Sequence, residues 1–250
     1  MKKISFIILF FTFLTQVSLS AEPARIITSI FPVADIIRNI AGPIAEVKFI
    51  IKQGDDPHTF SLTPQIIRES GAADICVMVG DNFDGWLLDM VKSGGNSKMK
   101  VINLCKELKY EGQDPHIWLS PGQVLKIIKV LKNYLIEYFP DEKESILRNY
   151  LNYYRDIQNL DKHIRKDMAS FSNKSFIASH SALFYFARDY GLVQSDIIIE
   201  HHGVEPSPKD LARIIDKVKA TDIRVIINTG ESDSSVTRKI AQETKSRLVN

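Results

Sequence analysis

Cysteine is scarce in this chain, with only Cys76 and Cys105 in 250 residues. That scarcity excludes a small fold stapled together by disulfides. Glycine (12) and proline (10) are too few for a collagen-like repeat, and a 44% hydrophobic content is too high for a disordered tail. A surplus of one charge is also missing. The 32 basic and 30 acidic residues nearly cancel, and they balance fully once Lys2 and Lys3 are set aside with the leader. A neutral chain without a basic stripe argues against nucleic acid or an anionic membrane surface as a partner. A membrane-spanning run is lacking too: the most apolar stretch, Ile4 to Leu14, is about half the ~20 residues that a bilayer requires.

That short stretch has the layout of an address. Lys2-Lys3 precedes it, and Ser18-Leu19-Ser20 supplies small residues at the −3 and −1 positions of a cleavage site before Ala21. The pattern predicts a secretory signal peptide over residues 1–20 rather than a membrane anchor. No cysteine adjoins the cleavage point to accept a lipid, so a soluble periplasmic protein is expected. Cys76 begins one apolar run (Ile75 to Val79) and Cys105 follows another (Val101 to Leu104). On neighbouring parallel strands the two thiols lie too far apart to bridge, which predicts two free, buried cysteines.

Beyond the leader, short β-branched runs alternate with helical spacing. Strands are expected over 25–30, 46–51, 74–79, 101–104, 174–179, 196–199 and 223–228. Helical stripes such as Val33-Ile36-Ile37-Ile40 and Leu211-Ile214-Ile215-Val218 lie between them. This alternation reads as α/β with mostly parallel sheets. One element breaks the rhythm. From Glu142 to Phe171 there is neither glycine nor proline, and apolar residues recur from Ile146 to Phe171 at helical spacing. The pattern predicts a helix of roughly 30 residues, with Pro140-Asp141 as stop and N-cap. Four expected strands precede it and three follow.

The expected division is a first α/β lobe over 21–140, a linking helix over 141–172 and a second lobe over 173–250. A coiled-coil dimer through the long helix is the alternative, disfavoured by its irregular, tyrosine-rich seam, so a monomer is expected. Arg247-Leu248-Val249 reads as the opening of a further strand, which makes the second lobe look incomplete.

Three of the six histidines closely follow expected strands: His58, His116 and His180. In open α/β sheets, ligands bind beyond the carboxyl ends of strands. Two of these imidazoles come from the first lobe and one from the second, so a crevice between lobes could gather them around a divalent transition metal. Asp56-Pro57 precedes His58 and Asp114-Pro115 precedes His116, placing aspartates where they can orient the rings. Taken singly, a histidine beside an apolar strand is more often a hydrogen-bonded structural residue. His163, midway along the long helix, reads as surface, and Trp86 as packing or cleft lining.

These residues fall into a recognisable order. Gly54-Asp55-Asp56-Pro57-His58-Thr59-Phe60 with Thr63-Pro64 resembles the first metal-ligand motif of the zinc- and manganese-type solute-binding proteins of ABC transporters. Asp114-Pro115-His116-Ile117-Trp118-Leu119 is similar to the second motif. Ser179-His180-Ser181-Ala182 with Tyr185-Phe186-Ala187 and Tyr190-Gly191-Leu192 is similar to the third, and Glu205-Pro206-Ser207-Pro208 with Leu211 and Ile214-Ile215 to the next landmark. The likeness runs from about Ile27 to Val249.

The resemblance implies two four-stranded α/β lobes joined by a rigid helix, with one divalent metal held between them as transported cargo for an ABC permease. It assigns His58, His116 and His180 to ligand positions. It also implies a fourth, usually acidic ligand that no residue here matches. Water, Glu200, Glu231 or residues past the chain's end remain open for that place.

Three departures stand out. Lys106 to Gln113 lacks the histidine-rich loop common in zinc-binding relatives, Ser120 stands where an aspartate is more usual, and His201-His202 forms a doublet on a loop. That doublet reads as a solvated loop or an auxiliary metal-collecting pair. Three imidazoles favour zinc, with manganese or iron next, because manganese prefers carboxylate oxygens. A zinc hydrolase is the alternative from a different class, since three histidines and an open position also hold catalytic zinc. However, no His-Glu-x-x-His helix, phosphate loop or Gly-x-Ser-x-Gly elbow is present, so the chain is read as no enzyme. A metal-dependent adhesin is a third reading that no residue favours.

Overall fold

The computed structural model describes residues 23–52, 55, 57, 60–94, 96–109, 114–199, 206–229 and 235–250. The expected leader, His58, Glu200, the His201-His202 doublet and Glu231 lie outside these residues.

The first half alternates strand and helix: β1 (Ala24–Thr28), α1 (Phe31–Ala41), β2 (Ala45–Phe49), α2 (Pro64–Ser70), β3 (Ile75–Met78), the single turn α3 (Asp81–Asp84), α4 (Trp86–Ser93), β4 (Lys100–Asn103) and the short α5 (Leu104–Glu107). The four strands form a parallel sheet in the order β2-β1-β3-β4. Every residue of β3 is buried, as expected for an inner parallel strand covered on both faces. One face packs on α1 through Val33, Ile36, Ile37 and Ile40, the stripe read from the sequence, while Leu87 and Met90 of α4 cover the other. Local chemistry sets the helix ends. Gly42 ends α1 at φ +62°, a left-handed angle that other residues rarely adopt, and the Thr63 hydroxyl accepts the Ile66 amide to start α2.

Two longer helices follow, α6 (Pro121–Tyr138) and α7 (Lys143–Ser170). The 28 residues of α7 span about 42 Å. The expected cap at Asp141 is corrected: Pro140–Glu142 winds into a 3₁₀ turn, and Glu142 occupies the N-cap without a side-chain hydrogen bond. The tight turn already uses the backbone around Asp141, so its carboxylate does not cap the helix. The early part of α7 packs onto the first lobe, with Ile146 buried and Tyr150, Tyr153, Tyr154 and Ile157 against the same apolar cluster as α1 and α6. Its later turns reach the second half of the chain.

That second half repeats the alternation: β5 (Ser175–His180), α8 (Phe184–Tyr190), β6 (Val193–Ile199), α9 (Pro208–Ala220), β7 (Val225–Ile227), α10 (Ser235–Thr244) and β8 (Arg247–Val249). Its sheet is also parallel, in the order β6-β5-β7-β8. The strand expected at Arg247 therefore forms, and it completes a four-stranded sheet matching the first. Ile214 and Val218 of α9 and Ile240 of α10 cover one face around Ile177 and Ile226, and Ala187 of α8 lies on the other. Cys76 and Cys105 are both free and buried, as their spacing predicts. Among the described residues, no helix is long and apolar enough to cross a membrane.

Candidate metal centre

His180 is the last residue of β5, an inner strand flanked by β6 and β7. The connection leaving β5 runs to β6 on one side and that leaving β7 runs to β8 on the other, and such a divergence opens a crevice beyond the carboxyl ends of the strands. The His180 backbone is pinned there. Its carbonyl accepts the Ala182 amide at 2.9 Å and the Thr229 hydroxyl at 3.3 Å, and the neighbouring Ser179 hydroxyl accepts the Thr229 amide at 2.9 Å. His116 arrives from the first lobe, at the entry to a 3₁₀ turn over Ile117–Leu119. Pro115 fixes the chain ahead of it, and Leu119 bonds back to the His116 carbonyl at 3.2 Å.

The structure brings these two rings together. Their Nε2 atoms stand 3.4 Å apart, with ring centroids separated by 5.1 Å and planes at 82°. In a tetrahedral zinc shell with Zn–N near 2.0–2.1 Å, two ligand nitrogens are separated by about 3.3–3.4 Å. The match is close. Asp114 sets the orientation of His116: its Oδ1 accepts the His116 amide at 2.8 Å and lies 2.6 Å from Nδ1. A carboxylate only accepts, so Nδ1 carries the proton and Nε2 presents its lone pair to the crevice. The other oxygen of Asp114 accepts the Phe184 amide at 3.1 Å, in the first turn of α8 on the opposite lobe. One buried carboxylate thus aims an imidazole and ties the lobes. The role foreseen for Asp114 is seen here, whereas Asp56 and His58 fall outside the described residues. Among the described residues, no group of three metal-ligating side chains gathers.

The floor beneath His116 is aromatic. Phe83 meets the imidazole edge-on at 5.9 Å and Trp118 lies 5.2 Å from it. Trp86 stacks on Phe60 at 4.9 Å, a packing role. Below the aromatics, Asp84 is fully buried and accepts from the Ser29 hydroxyl (2.6 Å) and the amides of Val79 (2.9 Å) and Gly80 (2.9 Å). Burial outweighs these three bonds and pushes its carboxyl up to about 6. Burial, helped by the negative charge of Asp84, also pushes the Cys76 and Cys105 thiols up to about 12. Both thiols therefore stay protonated near neutral pH. His163 is exposed on α7 and pairs loosely with Asp167 at 3.3 Å, which agrees with a surface role.

Sequence reasoning missed a polar cluster behind the imidazoles. Asp189, near the end of α8, accepts the Ser120 hydroxyl (2.7 Å) and the Gln123 amide (2.6 Å) on Oδ2, and Arg188 on Oδ1 (2.8 Å). Burial pushes the Asp189 carboxyl up, but the bonds from Gln123, Ser120 and Arg188 outweigh it and hold the group below the usual carboxylate range. On α7, Asp161 receives two bonds from Arg165 and one from the Tyr190 hydroxyl, while Arg165 also bonds the Asp189 carbonyl. The departure at Ser120 was the only signal, and no partner for it was visible in the sequence.

Comparison with known proteins bears on this arrangement. The family model described as zinc-uptake complex component A, periplasmic (ZnuA), matches residues 26–250. Zinc-binding lipoprotein AdcA of Streptococcus pneumoniae strain R6 is 27% identical over 267 residues, covering 97% of this chain and 53% of AdcA. Manganese-binding lipoprotein MntA of Halalkalibacterium halodurans is also 27% identical, covering 89% of this chain and 77% of MntA. A crystal structure of ZnuA superposes with a TM-score of 0.82 at 27% identity, covering 91% of this chain and 90% of that one. The chain spans about half the length of the AdcA relatives it matches. With its two parallel sheets, its long helix and a family match over nine-tenths of its length, the chain belongs to the ZnuA family of metal-binding ABC substrate-binding proteins.

Proposed function

We propose that this protein captures one divalent transition metal, zinc in preference to manganese or iron, in the crevice between its lobes. It acts outside the cytoplasm and hands the ion to an ABC permease, as a binding protein and not an enzyme. The observation that carries the reading is the 3.4 Å approach of the His116 and His180 Nε2 atoms from opposite lobes, with His116 already held by Asp114 in the tautomer that a metal needs. A pair of imidazole nitrogens facing one point supports zinc over manganese, which prefers carboxylate oxygens. His58 is the third proposed ligand, carried by its Asp-Pro-His motif. The metal, as cargo, is bound by exchanging its waters for imidazole nitrogen. Asp114 restricts the His116 ring, so little ordering remains on binding.

The test is calorimetric titration of the purified chain with zinc and with manganese at pH 7.5. One-to-one zinc binding tighter than manganese binding is expected. His58→Ala, His116→Ala and His180→Ala should each weaken zinc roughly a hundredfold or more, beyond the tenfold to hundredfold typical of losing a supporting residue. Asp114→Ala should fall within that supporting range. Wild-type affinity in all three histidine variants would sink the assignment.

A further inference from the structure

Ser120 occupies the N-cap of α6, yet its hydroxyl makes no bond to its own helix. It points across the crevice instead and donates to Asp189. The first turn of α6 is served from the other lobe. Asp189 Oδ2 lies where a side chain on Gly122 would meet it at 3.2 Å, the Gly122 amide bonds the Tyr190 hydroxyl, and Gln123 donates to the same carboxylate. The dipole at a helix N-terminus favours an anion, and here the carboxylate that accepts the Ser120 and Gln123 side chains comes from α8 on the other lobe. Each end of this contact adjoins an imidazole. Ser120 follows His116 through one 3₁₀ turn, and Asp189 lies on α8, the helix that begins shortly after His180.

We infer that Asp189 is a positioning residue for metal capture: it holds the Ser120 and Gln123 side chains at the start of α6 across the crevice and thereby fixes the angle at which His116 and His180 face one ion. The inference rests on the proposed function but names a part that the ligands do not share. Three features make the contact a latch. First, Asp189 and Ser120 are tied by a charge-assisted bond sheltered from water, with the Asp189 side chain only 13% exposed. Second, Arg165 holds the Asp189 carbonyl from α7 at 2.7 Å, so the latch is braced against the long helix. Third, opening the lobes at this edge strips the first turn of α6 of its partners and leaves Asp189 short of two donors. An aspartate at position 120, the residue that the family resemblance leads one to expect, would face Asp189 with like charge.

The experiment measures the interlobe distance and the rate of zinc loss in the same variants. Spin labels at Lys129→Cys on α6 and Lys219→Cys on α9 report the distance, because the buried Cys76 and Cys105 stay unlabelled in the folded protein. Transfer of zinc to a chelating dye reports dissociation. Asp189→Ala should broaden the distance distribution and speed zinc loss roughly tenfold. Ser120→Asp should do the same, and adding Asp189→Asn to it should restore both readouts by giving the introduced carboxylate a donor. If Asp189→Ala fails to fold, Ser120→Asp and its double variant carry the test. A folded Asp189→Ala protein with wild-type distances overturns the inference, whether or not zinc leaves faster. Should wild type hold no zinc while the distances still broaden, the proposed function fails and the latch stands.

Discussion

The two lobes share one strand order, β2-β1-β3-β4 and β6-β5-β7-β8, but they are not equally built. In the first, helices α1, α6 and α7 stack over one face of the sheet, so residues such as Ile37, Ile127 and Ile128 are fully enclosed. In the second, among the described residues, α9 and α10 cover the corresponding face, and β6 leaves Val193 more than half exposed. The same topology therefore yields a thick scaffold and a thin one. The thin lobe is tied to elements outside itself, with Asp189 accepting from Ser120 and Gln123 of α6 and Tyr190 donating to Asp161 of α7. Each lobe contributes one of the paired imidazoles, so the geometry of the candidate metal centre depends on how the thin lobe is held against the thick one.

The largest test of this contrast is a matched pair of cavities. Ile37→Ala should destabilise by about 4 kcal/mol and Ile226→Ala by about 3 kcal/mol, because the thinner lobe relaxes more readily around the void. Urea unfolding of the two variants measures the difference, and equal values would remove the distinction between the lobes.

A second contrast is electrostatic. Asp84, under the first lobe's half of the site, has its carboxyl raised to about 6 in the folded state, against an ordinary value of 3.8. A raised carboxyl binds its proton more tightly when folded, so its contribution to stability is greatest below pH 4 and is lost as pH rises to about 6. Relative to wild type, Asp84→Asn should gain on the order of 2–3 kcal/mol between pH 4 and pH 7. Thermal unfolding at a series of pH values reads it, and parallel curves would show that Asp84 carries no such burden. Asp189 has the opposite sign. Its carboxyl is held low, so the latch contributes stability above the ordinary carboxylate range and loses it as pH falls below that range.

The smallest test concerns a single cap in the thin lobe. Ser207 and Asp210 form a reciprocal capping box at the start of α9. Ser207→Ala should cost about 1 kcal/mol. A Tm unchanged in this variant would mean that α9 is held by packing alone.

Much of the fold was legible because its signals are local. The β-branched runs, the spacing of Ile36-Ile37-Ile40, and the absence of glycine and proline between Glu142 and Phe171 each act within a few residues. The structure places strands and helices accordingly. Asp141 shows the limit of such reading: a proline and an acidic residue ahead of a helix look like a cap, yet one additional tight turn moves the cap to Glu142. The site was partly legible for a similar reason. His116 carries its orienting Asp114 two residues away, inside one motif, whereas the partners of Asp189 lie 66 and 69 positions distant, at Gln123 and Ser120. The common strand order of the two sheets has no alignable counterpart in the sequence, because the lobes share a topology rather than a repeat.

The sequence alone determined the alternation of strand and helix, the long helix and the two unpaired thiols, since each follows from residue type and short spacing. Only the tertiary structure decided that His116 and His180 stand at metal-ligand separation, that Asp114 reaches both lobes, and that Ser120 bonds Asp189 rather than its own helix. These are relations between segments far apart in the chain. They are fixed by how two sheets and a helix pack, and short-range pattern contains no record of that packing.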